Sequence, residues 1–488
     1  MSPIGKGNPM QPDKPTRREF LARGATALAG LTMLGGLPGI ASCANDARKR
    51  PNVLFIFADQ FRNCSLGCIG QDKDIRTPNF DRLASQGLLF TDAISGYPLC
   101  TPYRAMLLTG RYGTSTGMVS NEIELPSSEA TIAESFKQQG YKTGFIGKWH
   151  LEKTHDAFVP RDRRHGFEFW ASRNLGGEYF DSFYCGDTPD RIPIPGYEMD
   201  GQTDIAIEFM KKNAQSPFFL MLAWRAPHPP IGAPDKYERM YDSSKLARRP
   251  NVPGDKDLRA DLVKYNAMIT NLDDNMGRIM KALDDIGIAD DTIVCFSSDH
   301  GDMFGSQGLI GKNVPYEESI NVPFIMRYPR AISAGRKTDC MINTVDVMPT
   351  LLSMCGVQVP KAVQGTDLSQ VVLDKGGRKP EAVLLQRIIS VGNKPIGEWR
   401  GVRTDQYTYA RYRDRPWLLF DNRKDPYQMD NLVGKPEYKD VQARLEARLQ
   451  SLMKKIGDKF EPSEAYIERF KPQMGKRWFR NKRAPLEE

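Results

Sequence analysis

The chain has 488 residues, of which 40% are hydrophobic and 26% charged, and its formal net charge is +8. These fractions are those of an ordinary globular protein, which excludes a disordered chain, a fibre and a polytopic membrane protein. Residues 1–50 hold eight basic and three acidic side chains, a balance of +5 that leaves only +3 for residues 51–488. That charge is too weak to indicate a nucleic-acid partner.

The first fifty residues are typical of an export signal and linker. Thr16–Leu21 resembles a twin-arginine signal, and the small-residue apolar stretch Ala25–Ile40 is shorter than the roughly 20 residues of a membrane span. Ile40–Cys43 resembles a bacterial lipobox, whose cysteine becomes the lipidated first residue. A plain cleaved signal and a frayed arm are the alternatives. We expect export by the twin-arginine machinery to the periplasm, or lipid anchoring at Cys43.

From Pro51 onward, apolar runs alternate with amphipathic stretches. Buried strands are predicted at Val53–Ala58, Leu88–Ile94, Thr143–Ile146, Pro217–Ala223 and Asp291–Phe296, and helices at Pro78–Gln86, Thr131–Gln139, Thr203–Asn213 and Leu258–Ile286. This alternation predicts an α/β fold, with a mainly parallel mixed sheet sandwiched by helices. Ligand sites of such sheets lie at the carboxyl ends of the strands.

The pattern changes after about residue 370, which divides the chain into a main domain, 51–370, and a C-terminal subdomain, 371–488. Antiparallel strands are predicted at Ala382–Ser390, Gly401–Tyr412 and Trp417–Phe420, and an amphipathic helix at Tyr438–Ile456. The basic segment Lys471–Arg483 is interpreted as a solvated tail, with contact to an acidic polymer as the alternative.

Polar pairs follow two of the predicted strands. Asp59 and Gln60 come directly after the first, and Asp299 and His300 follow the Asp291–Phe296 run after two serines. Because parallel strands end at one edge, these side chains could hold one metal ion. Carboxylates and an amide carbonyl suit Ca²⁺, with Mg²⁺ as the alternative, whereas His300 is a softer ligand. Helix capping by each aspartate is the competing interpretation.

The segment Cys100–Arg104, with Leu108–Arg111 downstream, resembles the signature of type I sulfatases in the alkaline-phosphatase superfamily. The resemblance implies an alkaline-phosphatase-like fold and a formylglycine made from Cys100 by a maturation enzyme. The hydrate of formylglycine is the nucleophile of that family: one hydroxyl attacks the sulfate ester and the other then expels sulfate. Arg104 would hold this diol, and Cys100 would also contact the metal.

Three further segments match that family and follow predicted strands or loops: Gly147–His150, Ala226–Pro229 and Gly311–Ser319. Three of the five histidines fall in the family motifs. The resemblance extends from about Pro51 to Leu432, with departures at Tyr103 and Gln307. It implies a sulfatase catalytic domain over 51–370.

The resemblance also implies the role of each site residue. Asp59, Gln60, Asp299, His300 and Cys100 would surround the metal. Lys148 and Lys312 would clamp sulfate oxygens, His228 (or Lys312) would protonate the leaving oxygen, and His150 would take the proton of the second hydroxyl.

The expected substrate is a sulfated carbohydrate. Gly166–Met199 is predicted to be a loop at the cleft mouth, and its aromatic residues are either sugar platforms or core: Trp170, Tyr179, Phe180 and Tyr184. Arg173, Arg225 and Arg400 are candidate contacts for a second sulfate or a uronate. Rival hypotheses are a phosphonate or phosphate ester hydrolase of the same superfamily, and a non-catalytic lipoprotein that binds sulfated glycans.

Overall fold

The computed structural model describes residues 50–390, 396–476, 478 and 479. The predicted export signal, the lipobox with Cys43 and the end of the basic tail lie outside these residues. Across the part of the chain that the model describes, no helix is long and apolar enough to cross a membrane.

The described residues form a large mixed sheet of eleven strands. The strands are β1 Asn52–Asp59, β2 Leu88–Ile94, β3 Lys142–Lys148, β4 Phe169–Arg173, β5 Phe180–Cys185, β6 Arg191–Tyr197, β7 Phe218–Pro227, β8 Thr292–Ser298, β9 Asn321–Arg327, β10 Arg336–Thr338 and β11 Ile342–Asn343. Their order is β10-β2-β9-β8-β1-β7-β3-β4-β5-β6, with β11 beside β2. Strands β8, β1, β7, β3 and β4 run parallel, which confirms the predicted mainly parallel sheet.

Helices cover both faces of this sheet. They are α1 Pro78–Ser85, α2 Cys100–Thr109, α3 Gly113–Thr116, α4 Ile132–Gln138, α5 Glu198–Asn213, α6 Asp235–Glu238, α7 Arg259–Ile286, α8 Glu317–Ile320, α9 Val347–Met354 and α10 Ser369–Val372. Successive residues of β1 point to opposite faces, so Phe55 and Phe57 enter one hydrophobic core while Leu54 and Ile56 enter the other. Burial on both faces explains why β1 is a continuous apolar run.

The smaller C-terminal subdomain contains a four-stranded antiparallel sheet: β12 Val383–Arg387, β13 Trp399–Arg403, β14 Tyr407–Arg411 and β15 Pro416–Asp421. Helices α11 Lys439–Ile456 and α12 Ser463–Phe470 follow it. The prediction of one strand over Gly401–Tyr412 was wrong. The backbone turns at Thr404, whose hydroxyl accepts hydrogen bonds from the N–H groups of Gln406 and Tyr407, as side chains of threonine do in turns.

The predicted loop Gly166–Met199 is also not a loop. It forms β4, β5 and β6, which extend the main sheet on one side. Trp170 and Tyr179 are buried in the cores, whereas Phe180 is 46% exposed. The sequence prediction also missed β9, which lies antiparallel between β2 and β8.

Candidate active site

Four side chains from distant parts of the chain meet at one edge of the main sheet. Asp59 ends β1, Asp299 and His300 follow β8, and Cys100 is the first residue of α2. All four are buried, and one ligand atom of each lies within 4.8 Å of those of the other three. The structure thus brings together the residues predicted from the polar pairs and from the cysteine motif.

The turn after β1 is fixed by residues that the sequence did not single out. Gln60 has a φ of 77°, a left-handed conformation that is uncommon outside glycine. The Tyr265 hydroxyl on α7 donates to the Gln60 carbonyl at 2.8 Å and accepts the Arg62 N–H at 3.0 Å. The Gln60 side-chain amide donates to Asp302. These bonds stabilise the turn that presents Asp59 and Gln60 to the site.

Cationic side chains surround the carboxylates. Lys148 Nζ lies 2.6 Å from Asp59 Oδ2, and Arg104 Nη2 lies 3.0 Å from the same oxygen and 3.7 Å from Asp299 Oδ2. Lys312 Nζ lies 2.6 Å from Gln60 Oε1 and 3.5 Å from Cys100 Sγ. The site therefore holds three cations around two carboxylates and one thiol.

The thiol of Cys100 is buried at the N-terminus of α2 and 3.3 Å from His300 Nε2. Burial alone would raise its pKa, but Lys148, Lys312 and His300 outweigh burial and lower the pKa well below the ordinary value of a thiol. A helix N-terminus favours negative charge as well. Residue 100 thus lies where an anionic oxygen or sulfur is stabilised.

The two carboxylates have opposite electrostatic environments. Burial and Cys100 act to raise the pKa of Asp59, but Lys148, His228 and Lys312 lower it below its ordinary range. Burial and the neighbouring charges of Asp59 and Cys100 raise the pKa of Asp299. A second positive group beside Asp299 would relieve this repulsion.

The donor set fits a hard divalent cation. Asp299 Oδ2 is buried and accepts no hydrogen bond from the described residues. His300 Nδ1 is 3.0 Å from the Gly301 carbonyl and donates to it, so Nε2 faces the cluster as a lone-pair donor. Carboxylate oxygens with one imidazole nitrogen suit Ca²⁺ or Mg²⁺ better than a soft metal.

The two histidines predicted for proton transfer occupy different environments. His150 is buried with a φ of 59°, and its backbone N–H donates to the Asn174 carbonyl at 2.7 Å. Burial, with Lys148 nearby, lowers its pKa to about 4, so the imidazole is neutral. His228 is half-buried, and its Nδ1 donates to the Pro229 carbonyl at 2.6 Å, so Nε2 is the nitrogen left for a ligand.

The candidate substrate arginines are already paired. Arg173 Nη2 and Arg225 Nη2 lie 2.9 and 3.1 Å from the two oxygens of Glu198, a buried residue that the sequence prediction missed. Arg400 is fully buried and pairs with Asp458, so its assignment as a substrate contact was wrong. Of the missed residues, only Asp302 had a signal, since it lies three positions after Asp299.

The chain is similar to known sulfatases. A family model described as Sulfatase matches residues 51–357, and a model described as N-sulphoglucosamine sulphohydrolase, C-terminal, matches residues 305–455. An ulvan-active sulfatase of Formosa agariphila is 37% identical over 442 residues, which cover 88% of this chain and 86% of the relative.

Solved structures extend the comparison to three dimensions. One, from work on the metabolism of multiple glycosaminoglycans by Bacteroides thetaiotaomicron, has a TM-score of 0.79 and 28% identity, and covers 87% of this chain and 99% of its own. Another, a complex with the substrate D-glucosamine-2-N,6-O-disulfate, has a TM-score of 0.75 and 26% identity, and covers 85% of this chain and all of its own.

Proposed function

The chain belongs to the sulfatase family, and we propose that it hydrolyses sulfate esters of saccharides with a formylglycine made from Cys100. One observation carries this proposal: the side chain of residue 100 lies where two carboxylates, an imidazole and two lysines converge. An anionic sulfate next to residue 100 would lie near the charges of Lys148 and Lys312 and near the residues that would hold a divalent metal.

The proposed nucleophile is the hydrate of the matured residue. A maturation enzyme with an external oxidant would convert the Cys100 thiol to an aldehyde, which water hydrates. One hydroxyl attacks the sulfur of the ester, the sulfur–oxygen bond to the sugar breaks, and the alcohol leaves with its configuration retained. Loss of the proton from the second hydroxyl then expels sulfate and regenerates the aldehyde. Arg104 neutralises charge next to this residue.

We propose that Asp59, Gln60, Asp299 and His300 hold Ca²⁺, with Mg²⁺ as the alternative. When bound, the cation would supply Lewis-acid polarisation of the sulfate and charge stabilisation at residue 100. Lys148 and Lys312 bind sulfate oxygens as point charges.

Proton transfer is assigned to the two histidines. His150 is neutral because its pKa is lowered to about 4, so it can accept the proton of the second hydroxyl. His228 Nδ1 is held by the Pro229 carbonyl, so Nε2 is the ring nitrogen that would donate a proton to the leaving sugar oxygen.

A sulfated polysaccharide is the proposed substrate class, as the names of the relatives suggest. The Arg225 guanidinium stacks 3.5 Å from the centre of the Tyr179 ring. Two arginines share the single Glu198 carboxylate, which leaves one net positive charge for a uronate or a second sulfate. Export by the twin-arginine route, to the periplasm or to a lipid anchor at Cys43, suits a polymeric substrate outside the cytoplasm.

The proposal is tested on protein made in its native host. The mass of the peptide Leu83–Arg104 should show formylglycine at position 100, and the matured protein should release sulfate from sulfated saccharides. A matured protein that hydrolyses aryl phosphates or phosphonates faster than the matched aryl sulfate would favour the rival hydrolase. An unmodified thiol in an inactive protein that still binds sulfated glycans would favour a binding lipoprotein.

A further inference from the structure

A cavity of about 340 Å³ lies beside Arg62 and Phe304. Its walls come from residues 71–74, residues 246–262, Arg62, Phe304 and Tyr427. Six cationic side chains line it against three carboxylates. The cationic residues are Arg62, Lys73, Arg248, Arg249, Lys256 and Arg259. We refer to it as the Lys73 cavity.

The carboxylates of the Lys73 cavity are committed to other partners. Asp72 pairs with Arg62 at 3.2 Å and with Arg249 at 3.1 Å, and Asp257 pairs with Arg259 at 2.8 Å. The third carboxylate, that of Asp74, accepts the backbone N–H of Ala247 at 2.9 Å.

Three cations are left over. Lys73, Arg248 and Lys256 are exposed and form no ion pair with any of the described residues. Because six cationic side chains line the cavity against three carboxylates, its lining has an excess of three positive charges, which gives a net positive field toward solvent.

The remaining wall is apolar. Leu246, Val252, Leu258, Leu262 and Phe304 line the cavity between the cations. A cavity of this size, with an apolar wall and a few charged groups, is typical of a small-molecule site. Carbohydrate rings combine apolar C–H faces with polar groups, so an anionic sugar satisfies both kinds of wall, whereas a bare inorganic anion satisfies only the cations.

The Lys73 cavity shares residues with the framework of the active site. Arg62 is two residues after Gln60, so their Cα atoms are at most about 7 Å apart. The Arg62 guanidinium lies 5.4 Å from the ring centres of both Tyr265 and Phe304. Asp302, two residues before Phe304, binds the Gln60 side chain. The cavity and the candidate active site are therefore connected through two short segments, residues 60–62 and 302–304.

From this arrangement we propose that the Lys73 cavity binds a second sulfated or carboxylated sugar of the same polysaccharide. The inference rests on the proposed function, because it places a neighbouring unit of the substrate whose sulfate is cleaved. Recognition of two anionic units would make the enzyme prefer a chain over a single sulfated sugar.

The test compares a sulfated ulvan tetrasaccharide with a sulfated monosaccharide. The variant combines Lys73→Gln, Arg248→Gln and Lys256→Gln, which removes the three unpaired charges and keeps a polar side chain at each position. We expect KM for the tetrasaccharide to rise about tenfold with kcat unchanged, since each exposed contact is weak. The KM for the monosaccharide should change less than twofold. Added salt should raise the tetrasaccharide KM of the wild type more than that of the triple variant.

A matched control combines Arg82→Gln, Lys212→Gln and Lys361→Gln, exposed cations elsewhere that have no ion pair among the described residues. This control should leave both KM values unchanged. An equal rise in tetrasaccharide KM for both triple variants would overturn the proposal, because only net charge would then matter.

Binding to the inactive Cys100→Ala protein, followed by calorimetry, separates the sources of the anion. A tetrasaccharide affinity that falls about tenfold when the three cavity substitutions are added to Cys100→Ala supports a sugar site. Absence of turnover by the wild type would count against the proposed function but not against this site. Inorganic sulfate that competes for the cavity as strongly as the tetrasaccharide would show a simple anion site and contradict the proposal.

Discussion

Two buried ionic clusters differ in how their charges are satisfied. One lies at the ends of β1, β3 and β8, and the other lies between β13 and α12. In the second cluster, Asp458 accepts hydrogen bonds from Arg400, from the Tyr466 hydroxyl at 2.8 Å and from the Gln386 amide at 2.8 Å. The guanidinium of Arg400 also donates to the Arg387 carbonyl at 2.9 Å. The charges of Arg400 and Asp458 therefore satisfy each other inside the cluster.

The cluster at the ends of β1, β3 and β8, here called the strand-end cluster, is not satisfied by its own charges. Lys148 and Arg104 both contact one oxygen of Asp59, while Asp299 Oδ2 accepts no hydrogen bond from the described part of the chain. The pKa of Asp59 is lowered and that of Asp299 is raised. Strongly shifted pKa values combined with an unpaired buried oxygen are typical of a functional site, whereas the charges of a structural cluster pair with each other.

The largest effect on activity is expected from substitution of Cys100 in the strand-end cluster. Cys100→Ala removes the residue from which the nucleophile is made, so sulfate release should fall by roughly 10⁴-fold or more. Cys355→Ala is the control, since Cys355 is also buried but belongs to a hydrophobic core. It should keep the turnover of the wild type. Substantial sulfate release by Cys100→Ala would overturn the proposed mechanism.

Lys148→Met should lower kcat by about 10²–10³-fold, the usual effect of losing one preorganised charge at a reacting oxyanion. Its free energy of unfolding should fall less than that of a variant in the second cluster, because Arg104 still pairs with Asp59. Steady-state kinetics and urea unfolding measure the two quantities. A variant that loses stability but not kcat would place Lys148 with the structural residues.

The second cluster should behave in the opposite way. Asp458→Asn leaves the Arg400 charge buried without a counterion, and the free energy of unfolding should fall by about 3 kcal/mol. The kcat of the folded protein should not change. Arg400→Met combined with Asp458→Leu removes both charges and should lose less stability than Asp458→Asn. A larger loss in the double variant would show that packing, not charge, holds this region.

The difference between the clusters also explains what the sequence could predict. Asp59 and Asp299 were identifiable because each comes at or shortly after the end of a clear apolar run, and Cys100 and Lys148 because their segments resemble motifs of the sulfatase family. Arg400 was misplaced because an arginine looks the same in sequence whether it faces a substrate or a buried aspartate. Its partner Asp458 is 58 residues away, and only the fold brings the two together.

Supporting residues were missed for a related reason. Tyr265 lies inside the helical pattern of α7, and Glu198 is one of many acidic residues, so neither has a local signal. The segment that forms β4 to β6 is rich in glycine and proline, which favour loops, yet pairing with β3 extends the sheet through it. Tertiary contacts decided these elements.

Metal addition should stabilise the folded protein by binding at the strand-end cluster and not at the Arg400–Asp458 cluster. Because the buried carboxylates repel each other, Ca²⁺ at 100 times its Kd should raise the free energy of unfolding by about 2.7 kcal/mol. Thermal unfolding with and without chelator measures this effect without requiring activity. Asp299→Asn should abolish the response, whereas Asp458→Asn should retain it. A response that persists in Asp299→Asn would move the metal to another site.

The smallest expected effect is the pH dependence of the second cluster. Burial acts to raise the pKa of Asp458, but Arg400 and the hydrogen bonds of the cluster outweigh it, so the pKa is lower in the folded protein than in the unfolded chain. A carboxylate with a lowered pKa stabilises the fold above its unfolded pKa of about 4, and this stabilisation is lost as the pH falls through the folded pKa.

The stability difference between the wild type and Asp458→Asn should therefore be constant from pH 5 to 7 and narrow below about pH 4. Urea unfolding at a series of pH values measures it. Asp242→Asn, at an exposed carboxylate paired with Lys245 on the surface, serves as the control and should differ little from the wild type at any pH. If the difference in the free energy of unfolding between the wild type and Asp458→Asn stayed constant down to pH 3, Asp458 would contribute by shape and hydrogen bonding rather than by its charge. The contrast between the two clusters would then not be one of electrostatics.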